Sequence, residues 1–419
     1  MSSRWADDAF LNTLRGHTDA AADACVRALD VHKDYADVFR VAIANDSVLP
    51  PDAPRALRDF FTCTDNALWL ETDSKRFPDG LDHARLKRGE RVFLDHAFFA
   101  SVVLLAKSLP EGYAAPCLSS LLNLSGNLRT KPYRRLLGVL QLVVDVSAVN
   151  GFDKGGRALA VARQARLMHA GIRRFAPMKM PDYESRFRGA PVNFEDMLGT
   201  IMGLSLLVID GMPRLSDGLS EQEAEDYYYL WRAFAVAMGI HPPGKEGSSE
   251  WVPASLTEAR EFYTAYERRH YEHVPVNNKD GVALAQENLN MLHHLLPAPF
   301  RVIPVVRRIP DMFMTQLIGD EGCRRVGIKP YRVPFGLHDV TVGVLRTLVG
   351  LGRWFDRIDP QGKLHPTISE MLLQGMIKQQ YGRVVTFEIP ESIQQLHDLV
   401  DRQNSGAGTA AGTARPAGT

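Results

Sequence analysis

The run Gly155-Gly-Arg-Ala-Leu-Ala-Val-Ala-Arg-Gln-Ala-Arg-Leu-Met-His-Ala-Gly-Ile-Arg-Arg-Phe175 decides the fold. After its opening glycines it meets no Pro or Gly until Gly171, so it predicts an uninterrupted helix. Residues three and four apart share a helix face, which places His169 with Ala162, Ala165, Arg166, Ile172 and Arg173. One imidazole therefore sits among small and apolar neighbours with a guanidinium one turn to either side. Two readings of that pattern stand on the residues alone. One is a core histidine held by a hydrogen bond, with arginines paired to acids elsewhere. The other is an iron porphyrin site, in which small residues admit a flat macrocycle, a neutral imidazole donates to iron and arginines meet anionic propionates.

Outward from this segment the chain keeps reading as helix, and alternating strands are scarce. Ser220-Glu-Gln-Glu223 is a capping box and Gly239 ends the helix it opens. Ser255-Leu-Thr-Glu258 opens another in the same way. Asn193, after Pro191 and before Asp196, starts a third that runs to about Ile209. Asp196 is expected to complement the positive start of that helix. Residues 6–44 predict one or two amphipathic helices, and Pro50 to Pro54 break the chain before a short helix around Ala56 to Phe61. Val333 to Ile389 holds two helical stretches and one strand-like run, Val384 to Ile389. The tail from Asn404 to Thr419 is too poor in apolar residues to order itself. The fold class is all-α, a single large helical domain with its pocket between core helices.

Charge is balanced, with 49 Lys and Arg against 49 Asp and Glu, so no global field draws the protein to nucleic acid or an anionic membrane. The apolar runs Ala97 to Ala106, Leu136 to Val144 and Leu198 to Ile209 fall short of the ~20 residues of a membrane span and read as buried helices, giving no transmembrane segment. Met1 to Leu14 lacks the pattern of a secretion signal, which implies a soluble, cytoplasmic protein. Cys25, Cys63, Cys117 and Cys323 are too dispersed for a zinc site or a redox pair and read as reduced thiols.

Competing motifs are weaker. Glu267-Arg-Arg-His270 has the carboxylate and imidazole spacing of a di-iron bundle, but the second copy such a site needs is missing. His270 and His273 read as a surface pair, and adjacent His293 and His294 point about 100° apart on a helix. Cys117 lacks the setting of a thiolate haem ligand. The anchors of zinc proteases, serine hydrolases, phosphate loops and dinucleotide folds are also missing.

Several dispersed strings share order and spacing with one family: Leu124-Ser-Gly, Tyr133-Arg-Arg-Leu136, Val144-Asp-Val146, Ala165 to Arg174, Gly189-Ala-Pro-Val-Asn-Phe-Glu-Asp-Met-Leu-Gly-Thr200, Tyr229-Leu-Trp-Arg232 and Met238-Gly-Ile240. Over roughly residues 80–330 the chain resembles the oxygenase family of rubber oxygenases and MpaB oxygenases. The resemblance implies an all-helical fold and haem b. His169 becomes the proximal iron ligand, Arg135 the arginine near the porphyrin, and Arg166 and Arg173 cofactor-binding residues. It also divides the chain into an N-terminal helical extension (1–79), a catalytic domain (80–330), a C-terminal extension (331–403) and the tail (404–419). Trp231 reads as a core aromatic, and the resemblance lets it lie nearer the site.

Departures refine the expectation. Three and four residues after Arg135, where rubber oxygenase has lysine and threonine, stand Gly138 and Val139. Between Gly112 and Val144 there is no Asp or Glu to match the enzyme's proposed base; Ser119 and Ser120 occupy that stretch. The function expected is haem-dependent oxygenation, with O2 and an electron donor, of an apolar substrate smaller than rubber. A haem-binding sensor or carrier, and a helical binding module without cofactor, are the alternatives.

Overall fold

A computed structural model describes residues 3–29, 49, 51–66, 81–124, 132–295 and 304–332, together with Gly343 and Thr347. The strand-like run 384–389, most of the C-terminal extension and the tail lie outside the described residues. Those described form helices and connecting turns, with no strand among them.

Three helices come from the N-terminal part: α1 (Asp8–Arg15), α2 (Ala20–Leu29) and α3 (Arg55–Asn66). Next come α4 (His83–Val103), α5 (Pro116–Leu124), α6 (Pro132–Val146) and α7 (Arg157–Lys179). After these follow α8 (Phe194–Leu204), α9 (Leu206–Gly211), α10 (Glu221–Ala237), α11 (Leu256–His270), α12 (Lys279–Leu295) and α13 (Ile309–Arg325). The cap signals act as the sequence implies at Ser220, where the hydroxyl accepts from Glu223 N–H and the Glu223 carboxylate accepts from Ser220 N–H. Ser255 caps α11, but the Glu258 carboxylate accepts instead from Ala254 N–H and the Trp5 indole. The helix opened by Asn193 breaks at Ser205, where the backbone departs from helical geometry (φ −113°, ψ −77°), and resumes as α9.

The helices pack around one large core, and α10 lies along α4. At their closest approach Gly89 of α4 sits against the Asp226 backbone, where a Cβ would lie 2.4 Å from the carbonyl oxygen. A helix crossing this close excludes any side chain. A second, smaller apolar cluster joins α2 and α3 to α7 through Val26, Leu29, Leu57, Phe60 and Leu167. Each such side chain taken fully out of water contributes about 1.5–3 kcal/mol, enough to hold these two helices on the face of α7.

One sequence expectation needs correction. Short apolar runs merge into longer helical stretches, because α4 continues through a π turn (Leu104–Ser108) to Gly112, and α8 and α9 are nearly continuous. His83–Gly112 and Phe194–Arg214 thereby reach the length and apolarity of a membrane span, with 61% and 78% of their apolar windows buried inside the protein. Their apolar faces are taken up mainly by the protein's own core.

Candidate functional site

α7 is central to the site because it touches α2, α3, α5, α6 and α10. Gly156 precedes it in extended conformation, and Pro177 falls in its last turn, where it gives no helical N–H to the Arg173 carbonyl. Ala158, Ala162, Ala165 and Ala176, which stand four, seven or eleven residues from His169, are buried on the face that carries it. The His169 side chain is only half-buried as a whole, yet its Nδ1 is fully enclosed and has no hydrogen-bond partner. Leaving a buried polar atom unpaired costs about 1–3 kcal/mol. Burial, with the positive charge of Arg173 beside it, pushes the imidazole down to about 3, so the ring is neutral across the physiological range. Among the described residues, Nδ1 lacks the hydrogen bond that the core-histidine reading expects. A neutral imidazole on a face of small side chains has the protonation state that a porphyrin iron ligand needs.

The two flanking arginines are held differently. Arg166 donates from Nε and Nη2 to both carboxylate oxygens of Asp19, at 2.6 and 2.9 Å, with both side chains under 5% exposed. Its guanidinium also reaches the Ala237 carbonyl (3.4 Å) and lies over the Phe60 ring (5.1 Å). Gly239, at φ +82°, closes the cage: a Cβ there would stand 2.9–3.0 Å from three guanidinium atoms. Arg173 donates to Asp23 (2.7 Å) and to the Val192 carbonyl (3.1 Å), and its Nη2 stays buried without a partner. Of the two, only Arg173 therefore keeps a donor free, while the charge of Arg166 is met by the protein itself.

Arg135 lies in α6, which packs against α7, but its side chain is outside the described residues. The motif strings at 125–131 and the side chains of 133–136 are likewise outside them. Gly138 and Val139 are half-buried, and among the described residues nothing lies within 4 Å of where a Cβ on Gly138 would stand. Ser119 is buried and donates to Asn278 Oδ1 at 2.8 Å. Trp231 is wholly buried in the main core, edge-on to Tyr227 and Phe234.

Asp196 does more than complement a helix start. Fully buried, it accepts from Arg15 (3.0 Å), Asn193 Nδ2 (2.8 Å), the Tyr266 hydroxyl (3.2 Å) and the Cys117 thiol (3.5 Å). Beside it Glu195 takes Arg15, Arg269 and His270, the last at 2.9 Å. This network ties α1, α5 and α11 to α8. Two family-like glycines serve it: a Cβ at Gly189 would meet Arg15 at 2.6 Å, and one at Gly199 would meet the Tyr266 ring at 2.6 Å. Glu267 pairs with Arg325 while His270 faces Glu195, so the two do not converge. His293 meets Asp311, and His294 the Asn290 carbonyl.

A cavity of about 310 Å³ lies away from α7, lined by Lys107, Glu111, Tyr263, Glu267, Tyr271 and Arg325 among others. Its charged walls are paired, Lys107 with Glu111 at 2.6 Å and Arg325 with Glu267 and Glu321. Leu207, Ile318 and Val326 also line it. Asp19, Asp23, Arg15 and Glu195 were not singled out from the sequence; the Asp19-to-Asp23 spacing at a helix start was the one local signal for the first two.

Comparison with known proteins follows the same lines. Residues 91–354 match the family described as ER-bound oxygenase mpaB/B'/Rubber oxygenase, catalytic domain. Rubber oxygenase from Streptomyces sp. (strain K30) is 22% identical over 259 residues, 60% of this chain and 56% of its own length. The match thus spans little more than half of that relative. The solved structure of latex clearing protein LCP in the closed state superposes with a TM-score of 0.59 at 17% identity, covering 94% of this chain and 95% of the other. With an all-helical fold of that shape and a family match over well over half its length, the chain belongs to the mpaB and rubber oxygenase family.

Proposed function

We propose that this protein is a haem b-dependent oxygenase that acts with O2, and an electron donor, on a small apolar substrate of unsaturated, terpenoid or lipid-like character. The observation that carries the proposal is the neutral His169 ring on α7, with its enclosed Nδ1 lacking any partner. The residues present fit the group. His169 would hold the iron, the free Nη2 of Arg173 would meet a propionate, and the small side chains of Ala162 and Ala165 on the same face are ones a flat ring could pack against. Bound haem supplies O2 activation, which no side chain of this site provides. The chain's own part is to keep the imidazole unprotonated, to fix the arginines and to exclude water with the surrounding core. Arg135, on the neighbouring helix, would add a positive charge near the ring.

Gly138 and Val139 stand where rubber oxygenase has lysine and threonine, and the loss of those two polar side chains favours a different substrate from rubber. With Ser119 tied to Asn278 and no acid between residues 112 and 144, a base from this stretch is not part of the scheme. That same loss favours the second reading, a haem-binding sensor or carrier without turnover. A cytoplasmic location belongs to the proposal as well. The test is an absorption spectrum of the haem-reconstituted protein beside His169→Ala. A Soret band lost or shifted in the variant is expected; an identical band in both removes His169 as the ligand. O2 uptake with a reductant and terpenoid or fatty substrates then separates oxygenase from carrier.

A further inference from the structure

We infer that α2 is a clamp for this site: Asp19 and Asp23 are positioning residues that fix Arg166 and Arg173 on either side of His169 and so set where the imidazole stands. The inference deepens the haem reading and rests on it for its purpose, though not for its geometry. Asp19 is the residue just before α2; its Oδ1 accepts from Ala22 N–H (3.1 Å), so the carboxylate that binds Arg166 is itself locked to the helix start. Asp23, one turn further, is steadied by the Thr18 hydroxyl (3.0 Å) while it takes Arg173 Nε. One turn of α2 thus grips two turns of α7, with His169 between the grips.

The grips divide the work. Asp19, the Ala237 carbonyl, the Phe60 ring and the bare face of Gly239 enclose Arg166, which leaves it a fixed cation and a fastening point. Asp23 and the Val192 carbonyl hold only two corners of Arg173, so its Nη2 is oriented and yet unspent. A guanidinium that is pre-aligned loses less entropy when it meets an acceptor. The family match begins at residue 91, so this clamp is supplied by the chain that precedes the matched region.

The test uses the full chain without haem. Site-resolved mass spectrometry follows diethyl pyrocarbonate modification of His169 in wild type, Asp19→Asn, Asp23→Asn, Asp23→Glu and Asp8→Asn, an exposed ion-pair control. Both asparagine variants are expected to label His169 about tenfold faster, as a local opening that exposes the ring becomes more populated. Asp23→Glu should return towards wild type, and Asp8→Asn should not move. Wild-type labelling in Asp23→Asn with helix content intact overturns the inference. Asp23 is the less buried partner, so this variant decides if Asp19→Asn does not fold. A second arm follows haem transfer from loaded protein to apomyoglobin, expected to be faster in Asp23→Asn. A wild type that takes up no haem refutes the proposed function and leaves the labelling result to judge the clamp.

Discussion

Replacing Gly239 with alanine should destabilise the protein through two separable effects. The first is backbone strain: φ is +82°, where an L side chain costs about 1–2 kcal/mol. The second is displacement of Arg166, because the new Cβ would stand 2.9–3.0 Å from Nη2, Cζ and Nε, which carry the bidentate pair to Asp19. Breaking a buried ion pair on one side costs about 3–5 kcal/mol. Gly244 offers the matched control, since it has φ +70° with nothing within 4 Å of its Cβ position, so Gly244→Ala should show only the first effect. Urea unfolding at neutral pH measures both variants. Their difference should be about 3 kcal/mol or more, tempered by whatever the guanidinium can relax. If the two lose equal stability within about 0.5 kcal/mol, Arg166 is not caged against Gly239 and the account of α7's fastening fails.

Three further outcomes follow from buried groups. Asp196→Asn should cost about 3–5 kcal/mol, because Arg15 loses a buried counter-charge; thermal unfolding checks it, and a loss under about 1 kcal/mol would mean Glu195 alone suffices for Arg15. For the haem-free protein, His169 is neutral when folded down to about pH 3 but takes a proton near its ordinary 6.5 when unfolded. The unfolded state therefore binds more protons in that window. Stability should fall as pH drops below 6.5, by up to about 1.4 kcal/mol per unit. His169→Leu should flatten the slope between pH 6 and 5, and identical slopes would contradict the enclosed ring. Among the thiols, Cys63 is exposed whereas burial pushes Cys25 up to about 12 and Cys117 and Cys323 upward too. A thiol reagent should titrate one cysteine in the native protein and four in urea; rapid native labelling of Cys117 would contradict its place beside Asp196.

Much of the framework was written in local chemistry. A helix through His169 follows from a run without breakers, and the caps at Ser220, Ser255 and Asn193 form because a hydroxyl or amide oxygen one turn before an orphan N–H has little choice of partner. Local chemistry also misled where it stopped short. Asp196 looked like a helix-start charge and is also the acceptor of three distant donors, Arg15, Cys117 and Tyr266; Arg166 and Arg173 looked like equivalent cofactor partners and differ in whether a donor remains.

The amino-acid order by itself determined that the chain is helical, which helix carries the imidazole and which side chains share its face, since all of these depend on neighbours within a few residues. Only the tertiary structure decided that Nδ1 of His169 is enclosed without a partner, that Asp19 and Asp23 from some 150 residues earlier hold the flanking arginines, and that Gly239 is glycine to make room for one of them. Burial and long-range pairing arise when remote segments meet, and periodicity along one helix carries no record of what will pack against it.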